Sequence, residues 1–188
     1  LPTRESAPPD PRSPYALQKY MGELLCREWS ELYKLDTVCL RYFNVYGPGQ
    51  HGDSPYSTVI AAWLETLFTG GTKRPYLEGD GTQSRDFCFV DDVAEANMLA
   101  MRAAKPFSGK AINVAGGASV SLLTLKSLIE RASGKVLELE YRPPRIGDVR
   151  ATRADTRTAR RLLGFRARTP LKDGIAKTIR WFGDQTKR

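Results

Sequence analysis

Histidine is almost absent from this 188-residue chain, which holds one, His51. A multi-histidine metal centre is thereby excluded, and a Ser-His-Asp triad is argued against. Cysteine is scarce as well: Cys26, Cys39 and Cys88 are odd in number, form no CxxC pair and each sit in an apolar stretch. Free, buried thiols in a reducing cytosol fit that pattern better than a disulfide framework. No apolar run approaches membrane-spanning length, and the first residues lack a signal-peptide layout. A glycine-rich dinucleotide fingerprint is missing too, because Gly79-Asp80-Gly81 and Gly116-Gly117 have the spacing of turns. Internal repeats and low-complexity segments are absent.

What is present is ordinary globular material, 41% hydrophobic and 27% charged, enough for one good core. The net charge of +8 is uneven: from residue 142 onward there are 14 Lys/Arg against 4 Asp/Glu. Such a basic region suits nucleic acid, a pocket for a polyanionic small molecule, or solvated helix faces. Aromatic residues are not interleaved with the basic ones, which argues against nucleic acid. The chain opens at Leu1 in a Pro-rich loop that runs straight into a helix, and so reads as a piece of a longer protein.

Ser13-Pro14 predicts a helix start, with Ser13 as N-cap and Pro14 at the first helical position, and Met21, Leu24, Leu25 and Leu32 carry the helix to about residue 34. Residues 37–43 are β-branched and apolar, as a buried strand should be, and lead into a turn-rich loop at residues 44–49. A helix over 57–69 ends at Gly70-Gly71. Strands follow at 74–77 and 85–90, then a helix capped by Asp91 or Asp92 and running to about 103. A buried strand at 111–114, a helix from the cap Ser121 to about 132, and a half-exposed strand at 137–141 come next. Helices over 156–163 and 171–185 complete an alternating α/β pattern.

Tyr15 and Lys19 stand one helical turn apart on one face. A nearby ammonium favours the phenolate and suits the pair to general acid/base work, although the spacing alone is unspecific. The company it keeps is more informative. Ser13-Pro14-Tyr15-Ala16-Leu17-Gln18-Lys19, then Leu40-Arg41-Tyr42-Phe43-Asn44-Val45-Tyr46-Gly47-Pro48, then Gly79-Asp80-Gly81-Thr82-Gln83-Ser84-Arg85-Asp86-Phe87, then Val90-Asp91-Asp92-Val93-Ala94, and finally Arg145-Ile146-Gly147-Asp148-Val149-Arg150 stand in order along the chain. Together they resemble the signatures of the extended short-chain dehydrogenase/reductase family, its NAD-dependent epimerase/dehydratase branch. Leu163-Gly164-Phe165 and the closing helix with Trp181 are similar to that family's ending. Within it the likeness is strongest to UDP-glucose and UDP-N-acetylglucosamine 4-epimerases.

The resemblance implies an α/β fold: the C-terminal part of a Rossmann-like, doubly wound parallel sheet plus a small α/β substrate-binding domain. Residues 1–50 and 91–118 would be what remains of the NAD-binding domain, and 51–90 and 119–188 the nucleotide-sugar domain. Tyr15 would exchange the proton of the sugar 4-hydroxyl while hydride moves between C4 and NAD, and Lys19 would hold the nicotinamide ribose. Tyr42 would sit beside the nicotinamide, Asn44 near the diphosphate, and Tyr76 and Leu77 near the uracil, partly through their backbone. Arg85 and Arg145 would grip the diphosphate, and Asp148 the uridine ribose.

The implied activity is C4 epimerisation of a UDP-hexose or UDP-N-acetylhexosamine through a 4-keto intermediate, in a cytoplasmic homodimer. The glycine-rich pyrophosphate site is not in these residues, so the chain alone would bind rather than turn over. A sugar-nucleotide dehydratase or decarboxylase, or a non-catalytic nucleotide-sugar-binding or assembly module, remains an alternative. Arg85 and Asp86 could instead form a surface ion pair, Asp91-Asp92 is better explained as a helix cap than as a catalytic pair, and Trp63 as packing. Gln50 and His51 lie on a loop that could approach the sugar. The parallel sheet would be left with open edges and exposed apolar faces, so self-association is expected.

Overall fold

The structure, a computed structural model, describes residues 1–52, 58–69, 75–144 and 149–185. Helix α1 (Pro14–Tyr33) starts as the sequence dictates: the Ser13 side chain accepts a hydrogen bond from the Ala16 N–H at 3.1 Å, and Pro14 occupies the first turn. It leads into β1 (Val38–Tyr42), which pairs in parallel with β6 (Lys110–Val114), Leu40 opposite Ile112. Strand alternation then decides which side chain serves which layer. Arg41 reaches Glu23 of α1, and Thr37 donates to the Cys26 carbonyl at 2.8 Å. Val38 and Leu40 instead join Val93, Ala96, Ile112, Val114 and Phe165 in a core between the strands, α3 (Val90–Met101) and α5 (Arg157–Leu163).

A second core forms around Tyr46, Ile60, Trp63, Leu64, Phe89, Leu125, Ile129, Ile175 and Phe182, all nearly or fully buried. Its elements are β2 (Val45–Tyr46), α2 (Val59–Thr69), β3 (Tyr76–Glu78), β5 (Cys88–Phe89), α4 (Leu122–Ser133) and α6 (Leu171–Gln185). Burying each such side chain contributes about 1.5–3 kcal/mol, so this core is the chief source of stability for the C-terminal elements. Helix α4 keeps its expected cap, the Ser121 hydroxyl accepting from the Thr124 N–H at 3.1 Å, and ends at Gly134 in the left-handed conformation.

Several expectations are corrected. The single strand expected over 85–90 divides: β4 (Ser84–Asp86) runs antiparallel to β7 (Ser119–Ser121), whereas β5 runs parallel to β2. Strands β2 and β7, two and three residues long, are too short to show a period in sequence. Helix α3 is not capped by an aspartate. Its N-cap is Phe89, with no side-chain cap, and Asp91 and Asp92 lie inside the first turn. The buried Asp92 carboxylate instead accepts the backbone N–H groups of Arg168 and Thr169 at 3.0 and 3.1 Å, tethering the approach to α6. The last strand is β8 (Glu140–Arg142), paired with β3. Ser57, Gly70, Gly71 and Arg74, expected at element ends, lie outside the described residues.

Among the described residues β1 pairs only with β6. Along α1, Leu17, Met21, Leu25, Trp29, Leu32 and Tyr33 form an exposed apolar row at helical spacing, with Trp29 and Tyr33 rings 4.6 Å apart. An exposed apolar face is thus present on α1, whereas the expectation placed such faces on the parallel sheet. Of the thiols, Cys88 is buried while Cys26 and Cys39 are only half-buried, and all are free. Burial pushes Cys88 and Cys39 up to about 12, with a hydrogen bond to Cys26 adding to the effect at Cys39.

Gly174, in the first turn of α6, is the tightest point of the C-terminal core. A Cβ there would collide with the Tyr46 hydroxyl and come within 2.9 Å of Phe89 Cδ2. Gly174→Ala should lower stability by about 1–3 kcal/mol despite the better helix propensity of alanine, read as a fall in thermal midpoint. An unchanged or raised midpoint would contradict this packing.

Candidate functional site

Tyr15 and Lys19 project from the first turns of α1 into a cleft of about 340 Å³, whose opposite wall is the Pro-rich loop of Thr3, Arg4 and residues 7–11. Lys19 Nζ lies 5.4 Å from the centroid of the Tyr15 ring, and the ring is half exposed. An open phenol beside an ammonium can take up or release a proton from a ligand in the cleft. Arg41 closes the floor. Its guanidinium forks onto the Glu23 carboxylate at 2.7 and 2.6 Å and donates to the Glu5 carbonyl at 3.2 Å. Arg41 is thus the structural strand-end residue that its position suggests.

Tyr42 goes elsewhere. One residue on from Arg41, it faces the other side of β1, where its hydroxyl donates to Asn97 of α3 at 2.9 Å beside a separate cleft of about 390 Å³. The structure does not bring the Tyr42 side chain together with Tyr15 and Lys19. Asn44 donates to the Asp86 carbonyl at 3.2 Å, so its amide lies where β1 hands over to β4.

Of the expected nucleotide-binding residues, Tyr76 and Leu77 lie on β3, ahead of the turn at residues 79–83. Leu77 is buried as a whole residue and belongs to the second core. Tyr76 is exposed, with the Arg142 guanidinium 4.0 Å over its ring and its carbonyl fixed by the Trp63 indole N–H at 3.1 Å. Trp63 is accordingly a packing residue. Asp80 accepts from both the N–H and the hydroxyl of Thr82, at 2.9 and 2.7 Å, which holds its carboxyl below the usual range. Gln83 closes the turn on the Glu78 carbonyl. A cleft of about 480 Å³ opens here between Glu78, Thr82, Gln83, Arg142, Pro144 and Arg150. Arg145 and Asp148 lie outside the described residues. Arg85, on β4, is half-buried and donates to the Ser84 carbonyl at 2.9 Å.

Asp86, next to it, is no part of a surface ion pair. It is fully buried, and its two oxygens accept the N–H groups of Gly117 and Ala154, each at 3.0 Å. Burial raises its pKa, and those N–H donors oppose the rise. The stretch 150–155 is a bridging segment, joined to its neighbours by two isolated bridges, Ser84 with Ala151 and Thr3 with Ala154. On one side Ser84 exchanges backbone bonds with Arg150 and Thr152 (2.9 and 3.0 Å); on the other Thr3 does so with Arg153 and Asp155 (2.8 and 2.9 Å). One extended segment therefore links the β3–β4 cleft to the loop that walls the Tyr15 cleft.

Sequence reasoning overlooked Glu5, Asp86 as a buried anchor, Thr82 and Arg150. For Asp86 the signal was its place in an apolar strand; Glu5, in a Pro-rich loop, gave none. His51 packs edge-on against Trp181 at 5.7 Å, and Gln50 accepts from Thr58 at 2.8 Å. Among the described residues no cluster of His, Cys, Asp or Glu could hold a metal ion, and no helix is long and apolar enough to cross a membrane.

Comparison with known proteins bears on the family and the fold. A model of the NAD dependent epimerase/dehydratase family matches residues 1–115. The chain is similar to a UDP-glucose 4-epimerase of Mycolicibacterium smegmatis, 39% identical over 189 residues that cover 99% of this chain and 58% of that protein. It superimposes with a TM-score of 0.90 on a UDP-N-acetylglucosamine 4-epimerase from Methanobrevibacter ruminantium solved with UDP-N-acetylmuramic acid, 35% identical, covering 98% of this chain and 58% of that one. A UDP-glucuronic acid 4-epimerase from Bacillus cereus, solved with UDP-glucuronic acid and NAD, matches with a TM-score of 0.89 at 30% identity, covering 98% of this chain and 57% of that one. The chain thus spans under three-fifths of these relatives, with the same α/β fold as the matching part of the solved ones. On the family match and the shared fold, the chain belongs to the NAD-dependent epimerase/dehydratase family.

Proposed function

We propose that this chain carries the acid/base pair and the nucleotide-sugar half-site of an NAD-dependent UDP-sugar 4-epimerase. The observation that supports this most is the pairing of two clefts: one holds an exposed Tyr15 beside Lys19, the other a turn edged by Arg142 and Arg150, and the segment 150–155 bridges backbone to both sides. A molecule with a reacting hydroxyl at one end and a nucleoside diphosphate at the other suits that layout.

In this reading Arg85 and Arg145 bind the diphosphate, a use for forked, always-charged donors, and Asp148 accepts from the ribose. Tyr76 borders the base, a role the buried Leu77 fits less well, and Asn44 approaches the diphosphate. Tyr15 exchanges the proton of the sugar 4-hydroxyl and Lys19 holds the phenol's neighbourhood positive. The open cleft around these two residues fits the nicotinamide ribose, which Lys19 would hold. NAD, when bound, accepts and returns the C4 hydride. Tyr42 fits this role less well, since its hydroxyl is engaged with Asn97 on the other face of β1. The chain functions in the cytoplasm and self-associates through the apolar row on α1. Leu25→Lys, at its centre, should shift the mass seen by light scattering toward the monomer; an unchanged mass would remove α1 from the contact.

UDP titrated calorimetrically into the chain should bind, and Arg85→Ala should weaken it by about tenfold or more, the size of a lost charge-assisted hydrogen bond. Equal binding by the variant would overturn the diphosphate assignment. In the intact protein supplied with NAD+ and UDP-glucose, Tyr15→Phe should lower kcat for UDP-galactose formation by about 10²–10⁴-fold and leave UDP affinity alone. Turnover at the parent rate would refute the role of Tyr15.

A further inference from the structure

The Pro-rich loop that walls the Tyr15 cleft contains no helix or extended strand of its own beyond the bridge at Thr3. Such a stretch of chain needs external bonds to hold one conformation. Its neighbours Thr3, Arg4 and Ala7 face the cleft, but Glu5 does not line it. The Glu5 carboxylate turns away from the cleft. One oxygen accepts the backbone N–H of Asn113, near the end of β6, at 3.0 Å; the other accepts the Thr158 hydroxyl, in the first turn of α5, at 3.1 Å. Its carbonyl accepts from Arg41 at 3.2 Å, and the same guanidinium is forked onto Glu23 of α1. Asn113 reinforces the attachment by donating its side-chain amide to the carbonyls of Thr3 and Asp155, at 3.1 and 3.2 Å.

One half-buried residue therefore ties the loop to β1, β6 and α5 at once, and through Arg41 to the helix that bears Tyr15 and Lys19. Arg4 and Arg157 surround it, but both ion-pair with Asp155, at 3.8 and 2.6 Å, so the Glu5 carboxylate is held by the neutral donors above.

We propose that Glu5 is a positioning residue: it touches no reacting group, and it sets the wall of the Tyr15 cleft by clamping the loop to β6 and α5. This rests on the functional reading above only in naming Tyr15 as the group positioned. The clamp itself can be tested without any ligand.

The test is amide hydrogen exchange on the chain, comparing the parent with Glu5→Ala and Glu5→Gln. Glu5→Ala should speed exchange across residues 3–12 and at the Asn113 amide by about tenfold or more, the size of a lost hydrogen bond to a charged acceptor. Amides of α4 and α6, in the separate C-terminal core, should change by less than about twofold if the effect is local. Glu5→Gln, which keeps an oxygen for Asn113, should restore most of the protection. UDP titrated into the same variants separates the two readings. Parent-like affinity in Glu5→Ala together with a loosened loop supports the positioning role, whereas absence of UDP binding in every form indicts the nucleotide site and leaves the exchange result to decide on Glu5. Unchanged exchange over residues 3–12, or a uniform rise that includes α4 and α6, would overturn the proposal.

Discussion

The arrangement of this molecule turns on a carboxylate with no access to water. Asp86 sits where β4 ends, and its two oxygens hold the turn after β6 and the bridging segment 150–155. A desolvated charge is costly, and its folded-state pKa is raised accordingly. Two backbone donors offset that cost, and in doing so they fix three segments that contribute to two different clefts. Break this node and Arg85, Arg150 and the segment bridged to Thr3 lose a common reference. The segment 150–155 then carries the order outward, bridging to Ser84 on one side and to Thr3 on the other.

The rest of the site is built by chain direction. Alternation along β1 sends Arg41 to α1 and Tyr42 to α3, so adjacent residues of one motif serve opposite faces. Helix α1 begins at Pro14, which puts Tyr15 at the mouth of the cleft, and Lys19 follows one turn later on the same face. The Pro-rich loop ahead of it is held by contacts that are almost all long-range: Thr3 to Arg153 and Asp155, Glu5 to Asn113 and Thr158. Residues remote in sequence thereby shape the surroundings of the proposed acid/base.

Much of this was legible in the chain. The long helices and the parallel pair β1–β6 follow from caps and periodicity, because their signals are local: Ser13-Pro14, Ser121 and the apolar run of residues 37–43, although β1 is half-buried rather than buried as that run suggests. The family resemblance, read from ordered motifs, agrees with the family match and the shared fold. What was not legible was long-range. Asp91-Asp92 looked like a cap because aspartate before a helix usually is one, yet Asp92 binds the backbone of residues 168 and 169. The split of residues 85–90 into two strands depends on Asp86 turning inward to donors from Gly117 and Ala154, residues no local pattern connects to it. Nothing adjacent to Glu5 hints at Asn113 or Thr158, over a hundred positions away.

The central claim is that the two clefts accept the two ends of one nucleotide-sugar. A crystal structure of the protein soaked with UDP-glucose tests it most directly. The account predicts the uracil beside Tyr76, the diphosphate on Arg85, and the sugar 4-hydroxyl within about 3 Å of the Tyr15 hydroxyl, the reach that proton transfer requires. Density for the nucleotide in the basic cleft of Arg4, Arg157 and Arg161, or a sugar directed away from Tyr15, would contradict it.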